Sequence, residues 1–121
     1  MKIVQRILWI LLAIFMIVSG VNHFIAPEFY DAMIPDFLPK SLANYAAGIA
    51  EIVLGIGLLI PKFREKSAWG IVILMIIFMP LHIWDLFKEQ PAIGSKEAAI
   101  IRIPFQFVFI AWAWWVRKPI G

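Results

Sequence analysis

Among the polar side chains inside or at the ends of long apolar runs in this 121-residue chain, eight stand out: Ser19, Asn22, His23, Glu51, His82, Asp85, Arg102 and Gln106. Their types suit hydrogen bonding and proton exchange. Histidine changes charge near neutrality, and a carboxyl group that holds its proton can donate to a carbonyl, so Glu51 and His82 are the candidate catalytic groups. Arg102 cannot shed its proton and needs an anion, which Asp85, Glu51 or an anionic ligand can supply. Glu51 is the most informative of the set because it is the only charge in residues 42–61, LANYAAGIAEIVLGIGLLIP. An ionisable group at that depth of a bilayer is costly and marks a functional site or a buried network. The candidate ligand-binding set is Asn22, His23, Glu51, His82, Arg102 and Gln106. No metal is expected, because two histidines on separate segments with scattered carboxylates match no ligand spacing. The chain has no cysteine, which excludes dithiol chemistry within it.

The elements that position these groups follow from composition. With 63% hydrophobic and 16% charged residues and a mean hydropathy of +0.89, the chain carries more apolar surface than a small soluble domain can bury. Four apolar stretches, residues 7–26, 42–61, 67–87 and 98–116, each approach the ~20 residues that a helix needs to cross the hydrocarbon core. The expected fold is an all-α integral membrane four-helix bundle forming one domain over residues 1–121. No length remains for a nucleotide-binding or soluble catalytic domain.

The 11 Lys and Arg against 8 Asp and Glu mark topology, and no nucleic-acid partner is expected. Lys2 and Arg6 precede the first span, Lys62, Arg64 and Lys66 separate the second and third, and Arg117 and Lys118 follow the fourth. The positive-inside rule then places both termini and the 62–66 turn in the cytoplasm. Trp9, Trp69, Trp114 and Trp115 fall near that interface and Trp84 near the other. The first span has the flanks of a signal peptide but lacks a small-residue cleavage site, so a retained helix is expected.

At about 1.5 Å of rise per residue, Asn22, His23, His82 and Arg102 lie roughly 5 to 8 Å below the outer ends of their spans, and Glu51 and Gln106 roughly 12 to 14 Å. Helical phase supports their convergence. Ser19, Asn22 and His23 share a face, as do His82 with Asp85 and Arg102 with Gln106. Glu51 shares its face with Ala47, Gly48 and Gly55, a small-residue stripe that lets a neighbouring helix approach and turns the carboxylate inward. Pro80 and Pro104 can free backbone carbonyls in the same zone. The bland alternatives are that Ser19 and Asn22 serve as interhelical glue, that Asp85 is solvated and paired with Lys88, and that Glu51 and Arg102 form a purely structural network, with Gln106 beside Glu51.

Residues 62–66 form a short basic turn, which predicts an antiparallel hairpin of the second and third spans. The segment 27–40, PEFYDAMIPDFLPK, is apolar yet broken by three prolines. It reads first as an interfacial anchor with Phe29, Tyr30 and Phe37 in lipid, and second as a lid over a site below. Residues 88–97 read as an ordinary outer loop.

These segments carry a likeness to a known group. The Asn22-His23 pair followed by Pro27, the pattern Ala47, Gly48, Glu51, Gly55, the Pro-Lys-x-Arg turn and the Pro80, His82 segment resemble the DoxX-like family, the DoxX and MauE type of small bacterial four-helix membrane proteins. The likeness runs from about residue 7 to residue 85. It implies a multi-pass protein of the bacterial plasma (inner) membrane, in contact with lipid and with a protein partner or a second copy of itself. It also implies a membrane subunit of a quinone-linked oxidoreductase system rather than a stand-alone enzyme, or a factor in oxidant defence or enzyme maturation. The positions carried over are Asn22, His23, Glu51 and His82.

Three functions fit the sequence. One is a cavity for a quinone or similar amphipathic ligand, ringed by Phe78, Met79, Phe105 and Phe109 and hydrogen-bonded by the polar set. Another is a non-catalytic accessory or chaperone-like assembly subunit whose polar cluster is structural. The third and weakest is a small proton-linked transporter, because one polar cavity in the outer half does not provide alternating access.

Overall fold

The computed structural model describes residues 2–31, 33–89, 91 and 93–118, with Phe29 described by its backbone alone. The described residues are helical with no strand: α1 (Lys2–Ile25), the short α2 (Glu28–Asp31), α3 (Lys40–Leu59), α4 (Arg64–Leu86) and α5 (Lys96–Val116). The four long helices are each long and apolar enough to cross a membrane. Each long helix begins before the apolar stretch that marks it, because its first turn opens on a charged residue, Lys2, Lys40, Arg64 or Lys96.

Local chemistry sets the boundaries. Pro27 disfavours helical geometry at the residue before it and closes α1. Pro39 precedes α3, where its missing N–H costs no intrahelical bond, and its carbonyl accepts the first one, from the Ala43 amide at 2.9 Å. The Ser95 hydroxyl caps α5 by accepting from the Ala98 amide at 3.1 Å. Between α3 and α4 the residues Pro61–Phe63 form one 3-10 turn. Arg64 Nε reaches back across it to the Leu58 carbonyl at 2.8 Å, satisfying an end of α3 that would lack a donor.

α1 packs most closely on α3, and α4 on α5. The α1–α3 seam depends on glycine. A Cβ placed on Gly20 would lie 2.6 Å from the Gly48 carbonyl oxygen, and one on Gly48 would lie 2.9 Å from that of Gly20. Only hydrogen side chains allow the two backbones this approach. At the end of the bundle that carries the chain termini the interior is apolar, with Leu12, Leu58, Ile71, Ala113 and Val116 fully buried. Trp112 Nε1 donates to the Leu8 carbonyl at 3.0 Å and the Arg64 guanidinium lies over the Trp9 ring at 3.5 Å, tying that end together. The outer faces are strongly apolar, with Val18, Val53, Ile73, Ile101 and Phe107 all exposed, a surface suited to lipid.

At the opposite end the α1–α3 connection folds over the bundle. Lys40 Nζ holds it by donating to the Asp31 carbonyl at 2.9 Å and the Ile34 carbonyl at 2.6 Å. Ile34 is buried while Phe37 is exposed, so this one segment has both an inward lid face and an outward anchor face. The anchor expected of Phe29 falls outside the described side chains.

Candidate functional site

The polar residues of α1 and α3 form one continuous hydrogen-bonded group. His23 on α1 meets Glu51 on α3, with Nε2 to Oε2 at 3.0 Å, and Ser19 donates to the same oxygen at 3.3 Å. On its other edge His23 Nδ1 stands 2.6 Å from Asn44 Oδ1, and Asn44 Nδ2 donates to the His23 carbonyl at 2.8 Å. Tyr30 stacks on the imidazole at 3.7 Å between ring centroids. Its hydroxyl accepts from Asn22 Nδ2 at 2.9 Å. Asn22 therefore orders the ring above His23 and is not itself part of the cavity wall.

Asn44 fixes the proton arrangement of this group. Because its amide nitrogen is committed to the His23 carbonyl, its oxygen faces Nδ1, so Nδ1 must carry a proton. Nε2 of a neutral ring is then an acceptor facing a carboxyl oxygen, and a 3.0 Å approach between them requires a proton. The His23–Glu51 pair thus holds one proton beyond the Nδ1 proton and is neutral as a unit, the cheapest form in which to bury it.

The polar residues of α4 and α5 form a second group of different character. Arg102 donates from Nη2 to Asp85 Oδ2 at 2.8 Å and from Nη1 to the Met33 sulfur at 3.3 Å. Lys88 Nζ lies 3.6 Å from the other oxygen of Asp85. Asp85 is fully buried, which corrects the expectation that it is solvated; the guanidinium covers it from α5. His82 lies beside Arg102, Gln106 and Asp85. His82 Nδ1 and Arg102 Nε are both buried without a hydrogen-bond partner among the described residues.

Between the two groups is a cavity of about 370 Å³. Glu51, His23 and Asn44 line one side, His82, Arg102 and Gln106 the other, and apolar side chains including Phe78, Phe109 and Met75 fill most of the rest. Tyr30, Met33 and Ile34 from the connection and Ile93 from the last loop contribute to its walls. Phe15 and Ile77 line the cavity and are also exposed on the bundle surface. Such a chamber, mostly apolar with a few convergent polar groups, has the character and size of a small-molecule site.

Two expected pairings are replaced. Gln106 does not pair with Glu51; its amide donates to the Met75 carbonyl at 2.9 Å, one residue from the Ile76 carbonyl whose helical donor Pro80 removes. Glu51 does not pair with Arg102, because His23 on the close-packed α1 reaches it first and Asp85 takes the guanidinium. Asn44 was not among the sequence candidates, although it stands seven residues before Glu51 and therefore two turns away on the same face.

Fold and site together define a small all-α bundle of membrane-crossing dimensions with a polar-edged cavity at one end. The chain belongs to the DUF8561 family, described as a domain of unknown function, whose model matches residues 12–117. That span takes in both polar groups. Neither the curated proteins nor the solved structures provide a match.

Proposed function

We propose that this protein is a DoxX-like membrane subunit whose cavity binds a quinone or similar ring-bearing amphipathic ligand, in the service of a redox system in a bacterial plasma membrane. The observation that carries this reading is the cavity itself, a 370 Å³ apolar chamber with separate polar groups on opposite sides. A ring with oxygens at both ends needs apolar faces and two polar contacts, and a tail needs an opening to lipid, for which the exposed lining residues Phe15 and Ile77 are suited. The basic residues at the end with the termini support a topology with both termini in the cytoplasm, which puts the cavity in the outer leaflet half. Electrons for any turnover come from a partner protein, because the chain has no cysteine and the reading assigns it no redox centre of its own.

The test is a titration of the protein, reconstituted in lipid nanodiscs, with a short-chain benzoquinone. Wild type should bind saturably. Ala47→Phe, which fills the cavity from α3, should weaken binding at least tenfold while the helical signal is unchanged. An accessory or assembly role without a ligand predicts no saturable binding by either protein.

A further inference from the structure

Both protein partners of Glu51 meet Oε2. Among the described residues its other oxygen, Oε1, has no hydrogen-bond partner, and it is not sealed from the cavity as His82 Nδ1 and Arg102 Nε are. The proton inventory fixed by Asn44 decides what Oε1 can do. If the shared proton sits on His23, Glu51 is a carboxylate and Oε1 accepts. If it sits on Glu51, it lies on Oε2 in the bond to Nε2, and Oε1 is the carbonyl oxygen, which again accepts. Either way Glu51 offers the cavity an acceptor and no donor.

Resting on the reading of the cavity as a quinone-type site, we infer that its preferred occupant is the reduced, hydroxyl-bearing ring, a quinol or related phenol, whose hydroxyl donates to Glu51 Oε1. A quinone carbonyl at that position would set lone pairs against lone pairs in a mostly apolar chamber and leave both oxygens unpaired. A hydroxyl satisfies both. The opposite side does not discriminate, since Arg102 keeps a second N–H on each of Nη1 and Nη2 beyond those given to Met33 and Asp85, and an N–H can donate to a hydroxyl oxygen as well as to a carbonyl. Selectivity therefore resides in Glu51, held in its acceptor form by His23 and Asn44.

The test uses the full chain in nanodiscs and compares a short-chain benzoquinone with its quinol, the quinol kept reduced under anaerobic conditions. The quinol should bind at least tenfold more tightly to wild type. Glu51→Gln should keep this order, because an amide N–H can donate to Nε2 and leave the amide oxygen facing the cavity. Glu51→Leu, which has no acceptor, should bring the two affinities together. Equal binding of both forms to wild type, or tighter binding of the quinone, overturns the inference but not the cavity reading. Binding of neither form overturns the cavity reading as well.

Discussion

The two polar groups that face each other across the cavity solve the burial of charge in opposite ways. On α1 and α3, His23, Glu51, Asn44 and Ser19 are joined by short hydrogen bonds into a unit that is neutral overall and leaves one oxygen over. On α4 and α5, Asp85 is buried between Arg102 and Lys88, a charged arrangement in which two nitrogens, His82 Nδ1 and Arg102 Nε, lack partners. The first side is ordered for hydrogen bonding with defined polarity. The second is held by Coulomb attraction and has donor capacity in reserve. Because the two groups belong to different closely packed helix pairs, the cavity between them is a property of how the pairs meet.

Neutralising one carboxylate on each side should separate the two designs. Asp85→Asn removes the anion paired with Arg102 among the described residues and should cost the most, about 3 to 5 kcal/mol, because it leaves a largely buried guanidinium without that counter-ion. Thermal unfolding in detergent would register it as a large fall in midpoint. Asn44→Leu comes next, at roughly 2 kcal/mol, since it strips partners from both His23 Nδ1 and the His23 carbonyl. It should also lower the quinol preference, because the proton on Nδ1 is no longer fixed. Glu51→Gln should be mildest, about 1 kcal/mol or less, in keeping with polar contacts between membrane helices. If Glu51→Gln proves as damaging as Asp85→Asn, the neutral-pair description of the α1–α3 side fails.

Much of this arrangement was legible in the sequence, for physical reasons. Helix spacing put Ser19 and His23 on one face and Glu51 on the glycine stripe, and the structure brings these faces together where Gly20 and Gly48 allow the backbones to touch. Arg102 needed an anion, and Asp85 was among its candidates. What depth estimates could not supply was the azimuth of each helix about the bundle axis. Glu51 and Gln106 lie at similar depth by residue count and line the same cavity, yet each takes a different partner. Asn44 carries no charge whose burial would mark it in the sequence. It is nonetheless buried and lines the same cavity as Tyr30 and Ile34 of the connection, a proximity with no signature in helical periodicity. The prolines and acids of that connection left it open between an interfacial anchor and a lid, and Lys40 ties it down with both an inward and an outward face.

The central claim is that the chamber between Glu51 and Arg102 takes a ring. Its most direct test is a crystal structure grown from a lipidic phase in the presence of a short-chain quinol. The account predicts planar density in the cavity between Phe78 and Phe109, with one oxygen in hydrogen-bond contact with Glu51 Oε1 and the other turned toward Arg102 or His82. A cavity occupied only by water or collapsed side chains, in crystals grown at saturating quinol, would contradict it.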